Sequence, residues 1–231
     1  MIGCQGPKGD KGDTGEKGDR GKTGVGGGSD NSGTWQDIRV DYEDSVLTIY
    51  CYNDGSWSRG TASLINVDGR TMALTAQHVV EYNQSCELYT EEGLKAGTAR
   101  TAITPDSDRD LTYFRSVSIS DGVSRKPFEI SIDADVDIGE ELLSIHFPGK
   151  FVNDRQWVTA EVMDDDFGYW ENSSWSNAFA VHSVSWYGSS GSPFVNKYGE
   201  VVGILVGAPG NGTGGGELDM IFGLRFNNNI E

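Results

Sequence analysis

The chain has 231 residues, with 35 acidic and 18 basic side chains and a formal net charge of −17. That balance excludes a nucleic-acid surface, which needs clustered Lys and Arg. No apolar run reaches the roughly 18 residues of a membrane span, and the three cysteines, Cys4, Cys51 and Cys86, include no C-x-x-C pair to hold zinc. No metal and no cofactor is therefore expected. The acidity reads as solubility, although a preference for basic substrates or a salty habitat fits it too. The start, Met1-Ile2-Gly3-Cys4, has neither a basic n-region nor an apolar h-region, so no signal peptide is expected there. An exported protein would then use another route, be a piece of a longer protein, or ride on a particle such as a virion.

From Gly3 to Gly24 every third residue is glycine. Three polyproline-II chains wound together share a crowded axis where only glycine fits. Lys8-Gly9-Asp10, Lys11-Gly12-Asp13 and Lys17-Gly18-Asp19 place opposite charges where neighbouring chains can pair. Each exposed pair contributes roughly 0–1 kcal/mol. The segment resembles bacterial and viral collagen-like repeats. It implies a stem over residues 1–28, about 75 Å long at the polyproline rise, and a homotrimer held through it. Pro7 is the stem's single proline, so a disordered Gly-rich leader is the standing alternative. Cys4 is placed to cross-link chains. Lys22-Thr23 hints at a phosphate-binding loop, but Glu16 stands where that loop needs glycine. Residues 29–35 read as a flexible linker. The stem holds five basic and four acidic residues, so the whole acidic excess belongs to the chain beyond it.

Beyond Trp35 the chain shows short apolar or alternating runs. Examples are Ser45–Tyr50, Ala62–Ile65, Glu141–Ile145, Trp157–Val162, Val201–Leu205 and Met220–Leu224. Turn signals separate them at Asn53-Asp54-Gly55, Asp68-Gly69, Pro148-Gly149 and Tyr198-Gly199. Many short strands at this spacing predict an all-β sandwich or barrels. No long helical period appears, and one short helix is expected after His78. Asp133-Ala134-Asp135-Val136-Asp137 suggests a calcium loop, but Ile138 and Ser144 occupy positions that must be Gly and Glu.

Three strings carry chemistry: Ala73-Leu74-Thr75-Ala76-Gln77-His78-Val79-Val80, Asp110-Leu111-Thr112-Tyr113-Phe114 and Gly188-Ser189-Ser190-Gly191-Ser192-Pro193. In this order they resemble the signature regions of the chymotrypsin/trypsin-like serine protease superfamily, most closely its compact bacterial and viral members. The resemblance covers residues ~40 to ~228 and includes the strand Gly60–Ile65, the run Gly139–Gly149 and the hairpin Gly199–Ile204. It implies two six-stranded antiparallel β-barrels, over 36–125 with His78 and Asp110 and over 126–231 with Ser190, and an active site in the cleft between them. Ser190 is then the nucleophile, His78 its base and Asp110 the group that orients the imidazole. The backbone N–H groups of Gly188 and Ser190 form the oxyanion hole. Asp106 and Asp108 compete with Asp110, but only Asp110 opens an apolar run.

The match has departures. Ser189 replaces the aspartate with which trypsin-type zymogens bind a newly cut N-terminus, so that ion pair cannot form. Ser192 replaces a commoner glycine. The usual disulfide bracketing the histidine is not matched; Cys51 and Cys86 are either bridged or two reduced buried thiols. The specificity pocket maps loosely onto His182, Val184, Ser185, Val206, Gly207 and Ala208, which suggest a small or apolar site. Glu217 or Asp219 entering it would favour Lys or Arg. The expected function is a serine endopeptidase acting on polypeptides, displayed on a collagen-like stem in an extracellular, cell-surface or virion-associated setting. The alternative is a non-catalytic structural or adhesive module of the same fold, capping a fibre.

Overall fold

The computed structural model describes residues 33–53, 55–80, 85–103, 110–132, 134–148, 154–167, 178–207 and 220–226. The glycine-repeat stem, its trimer and Cys4 lie outside the described residues.

The first element is a helix, α1 (Trp35–Tyr42), where the sequence suggests the end of a linker and no helix. Its start is a capping box. Asp37 N–H donates to the Thr34 hydroxyl at 3.3 Å, and the Asp37 carboxylate accepts from Thr34 N–H at 2.8 Å. The helix buries Ile38 and Tyr42, one turn apart. Tyr42 stacks on Phe128 with ring centroids 4.4 Å apart, and Trp35 Nε1 donates to Glu141 at 2.5 Å.

After α1 comes a closed six-stranded barrel, in the order β1-β2-β3-β6-β5-β4. Its strands are β1 (Val46–Asn53), β2 (Ser56–Val67), β3 (Arg70–Thr75), β4 (Ser85–Tyr89), β5 (Lys95–Ile103) and β6 (Thr112–Ile119). The β2–β3 hairpin closes on Asp68-Gly69, both with positive φ, as a two-residue turn matching strand twist requires. Leu47, Ile49, Leu64, Leu74, Leu88 and Phe114 fill the core.

The second half is a seven-stranded sheet, ordered β11-β8-β9-β10-β13-β12-β7, with β11 also paired to β12. Its strands are β7 (Glu129–Ile130), β8 (Glu141–His146), β9 (Gln156–Asp164), β10 (Ala178–His182), β11 (Pro193–Val195), β12 (Glu200–Gly207) and β13 (Met220–Arg225). The expected six strands are thus joined by a seventh, β7, which runs parallel to β12 and leads out of the first barrel. Its own core includes Leu142, Val162, Phe179, Val181, Phe194 and Val202.

Cys51 and Cys86 are cross-strand partners on β1 and β4, buried and disulfide-bonded, with Cα atoms 4.4 Å apart. The bond closes a loop of sequence separation 35, which in the chain-entropy account stabilises the fold by about 4 kcal/mol. The Cys51→Ala/Cys86→Ala variant is expected to lose about that much in urea unfolding. Wild-type stability unchanged by reductant would contradict the bridge.

Candidate active site

Strand register brings His78 and Asp110 together. Thr75 on β3 pairs with Thr112 on β6. Beyond Thr75 the chain turns into a short helix, α2 (Gln77–Val80), and Asp110 lies two residues before Thr112, at the same end of the antiparallel pair. The Asp110 carboxylate meets His78 twice. Oδ1 accepts the His78 backbone N–H at 2.8 Å, and Oδ2 lies 2.5 Å from Nδ1. One carboxylate therefore fixes both the backbone and the ring of the histidine. The His78 side chain remains 48% exposed, whereas Asp110 is 19% exposed. Asp106 and Asp108 lie outside the described residues.

The second half supplies Ser190, on the turn between Trp186 and β11. Gly188 and Gly191 flank it with φ of +93° and +86°, a backbone that favours glycine. Ser189 is buried. Its N–H donates to the Trp186 carbonyl at 2.9 Å and its Oγ accepts from Trp186 N–H at 3.1 Å. Ser192 N–H and Oγ both donate to the Ser189 carbonyl. The turn is thus tied by its own serines, where the resembling zymogens use an aspartate and a new N-terminus. Among the described residues, the Gly188 and Ser190 N–H groups donate to no backbone carbonyl.

The first barrel grips this turn. Thr61 N–H donates to the Ser190 carbonyl at 2.8 Å, and Thr61 Oγ1 donates to the Gly188 carbonyl at 2.8 Å. Thr61 Oγ1 also accepts from Phe147 N–H at 3.1 Å. Thr75 Oγ1 donates to the Thr61 carbonyl at 2.8 Å. Gly60 must be small, because a Cβ there would lie 2.7 Å from Val79 and 2.9 Å from the Ser190 carbonyl. The serine turn and the residue after His78 therefore press on one glycine of β2. Thr61 and Thr75 both lie in strings legible in the sequence, Gly60–Ile65 and Ala73–Val80, but neither string assigns them this role.

The loosely mapped specificity residues disperse. Val206 is buried on β12, whose Leu205 carbonyl accepts the Gly191 N–H at 2.8 Å, so Val206 and Gly207 do lie next to the serine turn. His182 ends β10 as an exposed residue paired with Glu161 and Met220. Val184 is exposed and Ser185 half-buried on the approach to Trp186. Ala208, Glu217 and Asp219 lie outside the described residues.

His146, at the end of β8, is buried, and its Nδ1 has no hydrogen-bond partner among the described residues. Burial penalises its charged form and pushes its pKa down from the ordinary 6.5 to about 4. The unfolded chain binds a proton here that the folded chain refuses, so stability falls as pH drops from about 6.5 to 4, by about 3 kcal/mol from this residue. The variant His146→Gln is expected to flatten urea stability against pH in that window. A wild-type slope in the variant would contradict it.

The family profile of the trypsin-like peptidase domain matches residues 60–204, more than half of the chain. The chain belongs to the trypsin-like peptidase domain family. No curated protein matches it significantly. Among solved structures, the peptidase domain is similar to the HtrA-type protease AlgW with a tripeptide, at TM-score 0.67 and 16% identity, covering 84% of this chain and 60% of that one. A serine endoprotease from Yersinia pestis gives TM-score 0.60 and 17% identity, covering 84% of this chain and 62% of that one. Deg5 gives 0.59 and 16%, covering 82% and 87%. At these identities the likeness is one of fold. The chain spans about 60% of the length of AlgW.

Proposed function

We propose that the peptidase domain is a serine endopeptidase with His78, Asp110 and Ser190 as its triad. The observation that carries this reading is the double hold of Asp110 on His78, at 2.8 Å and 2.5 Å. Asp110 keeps a proton on Nδ1 and so leaves Nε2 as the base. Ser190 Oγ attacks the scissile carbonyl and its proton passes to His78 Nε2. The tetrahedral oxyanion takes hydrogen bonds from the Gly188 and Ser190 N–H groups, each such donor lowering the barrier by roughly 3–4 kcal/mol. Collapse expels the amine, protonated by His78, and leaves an acyl-Ser190 ester. Water, deprotonated by His78, then releases the acid.

Val206 and Gly207 beside the serine turn support a small or apolar specificity pocket. The glycine-repeat stem supports display on a trimeric collagen-like fibre in an extracellular, cell-surface or virion-associated setting. The test is digestion of a denatured protein mixture, with new termini identified by mass spectrometry. Termini that vanish with Ser190→Ala are expected. A folded domain that produces none, across varied substrates, overturns the peptidase reading in favour of a structural module.

A further inference from the structure

The peptide planes that follow Gly188, Ser189 and Ser190 are each held at their carbonyl. The Gly188 carbonyl accepts from Thr61 Oγ1 at 2.8 Å. The Ser189 carbonyl accepts from Ser192 N–H at 3.0 Å and from Ser192 Oγ at 2.5 Å. The Ser190 carbonyl accepts from Thr61 N–H at 2.8 Å. The outer planes are held at their N–H groups as well. Ser189 N–H donates to the Trp186 carbonyl at 2.9 Å, and Gly191 N–H to the Leu205 carbonyl at 2.8 Å. The middle plane differs. Its N–H, that of Ser190, donates to no backbone carbonyl among the described residues. This is a group that meets the oxyanion in the proposed reaction.

A peptide is planar, so a carbonyl fixed in direction also fixes the N–H across the plane. For the middle plane both carbonyl donors come from Ser192. Its backbone N–H makes a turn bond that any residue except proline could supply. Its hydroxyl adds the second and shorter bond. Two donors on one carbonyl draw charge toward that oxygen and make the N–H of the same plane a stronger donor. The hydroxyl is carried on a firm post. Ser192 is fully buried, and its own carbonyl accepts from Leu205 N–H on β12 at 2.8 Å. Phe194, two residues on, lies in the core of the second sheet. Ser189 Oγ is engaged elsewhere, by Trp186 N–H at 3.1 Å.

We propose that Ser192 is a positioning residue for acyl transfer at Ser190: its hydroxyl aims and strengthens the Ser190 N–H as an oxyanion donor. The inference rests on the endopeptidase reading. Ser192 acts through the Ser189 carbonyl, so its contribution grows as negative charge develops on the substrate oxygen. Loss of the hydroxyl therefore slows acyl transfer and leaves ground-state binding as it was.

The test is stopped-flow acylation by p-nitrophenyl acetate, in which Ser190 Oγ takes the acetyl group and p-nitrophenolate leaves. It reads the acylation rate constant and the dissociation constant of the ester separately. Ser192→Ala is expected to slow acylation about tenfold, on the order of one hydrogen bond, with the dissociation constant unchanged. Ser192→Gly, a second variant without the hydroxyl, should be as slow. Ser192→Thr restores the hydroxyl and should recover most of the lost rate. Diethyl pyrocarbonate should modify His78 in these variants as fast as in the wild type, because Asp110 holds that imidazole. Wild-type acylation in Ser192→Ala and Ser192→Gly overturns the proposal. So does a loss that follows Tm across the variants instead of the hydroxyl, or one that falls on the dissociation constant or on His78. Fluorophosphonate labelling of the wild-type protein reports the nucleophile by itself. Labelling together with acylation indifferent to Ser192 rejects the positioning role alone. No labelling and no acylation rejects the endopeptidase reading and this role with it.

Discussion

Replacing Ser190 or His78 with Ala is expected to cut peptide turnover by about a million-fold, and replacing both should cost no more than either alone. The two act as one unit, since a serine hydroxyl is a poor nucleophile without its base and the base has nothing to activate without the serine. Asp110→Asn is expected to cost about ten-thousand-fold. The reason is specific to the geometry. Asp110 accepts at both oxygens, from the His78 backbone N–H and from the Nδ1 side of the ring. Asparagine keeps one acceptor and turns the other into a donor. Either the backbone contact or the ring tautomer is then lost, while size and fold are kept. Initial rates on a peptide substrate with matched Tm values check this. An Asp110→Asn enzyme at wild-type rate would remove Asp110 from the triad.

The second large effect is expected at Gly191→Ala. A Cβ at this position would lie 2.3 Å from the Thr61 carbonyl, 2.3 Å from Thr75 Oγ1 and 2.9 Å from Ala76 N. None of these can step aside cheaply. Thr61 and Thr75 are buried in adjacent strands and bonded to one another, and Thr61 also grips the Gly188 and Ser190 carbonyls. The residue's φ of +86° adds left-handed strain for any L side chain. Crowding and strain together are expected to destabilise the domain by about 3–5 kcal/mol. They should also abolish labelling of Ser190, because the first barrel could no longer hold the turn. Ser190→Ala, which changes no backbone demand, should keep its Tm. Differential calorimetry separates the two. A Gly191→Ala protein with wild-type Tm and labelling would show that the first barrel and the second sheet do not interlock through this turn.

Much of the fold is legible in the chain. Short apolar runs such as Val201–Leu205 form strands, and Asp68-Gly69 forms a hairpin turn, because both signals are local. The His78, Asp110 and Ser190 strings are legible because each chemistry demands a particular short context. Helix α1 is not, since its apolar face is only Trp35, Ile38 and Tyr42, two turns that are too short to set a helical period apart from the strand runs around it; the Thr34–Asp37 capping pair is its other local signal. Strand β5 is hidden because Ala96 and Ala99 make its core contacts and Gly97 lets β6 approach, with a Cβ there 2.1 Å from the Ser118 carbonyl. The grip of Thr61 on Gly188 spans 127 positions and emerges only when two strand sets pack. An aromatic cluster on the first barrel is likewise a product of register: Tyr50, Trp57 and Tyr89 become neighbours only once β2 and β4 flank β1.

The most direct test of the central claim is reaction of the folded protein with a fluorophosphonate, then mass spectrometry of the modified peptide. Modification is predicted on Ser190 alone, and it should disappear in His78→Ala at unchanged Tm. Absence of modification, or modification that survives the loss of His78, would contradict an activated Ser190–His78–Asp110 triad.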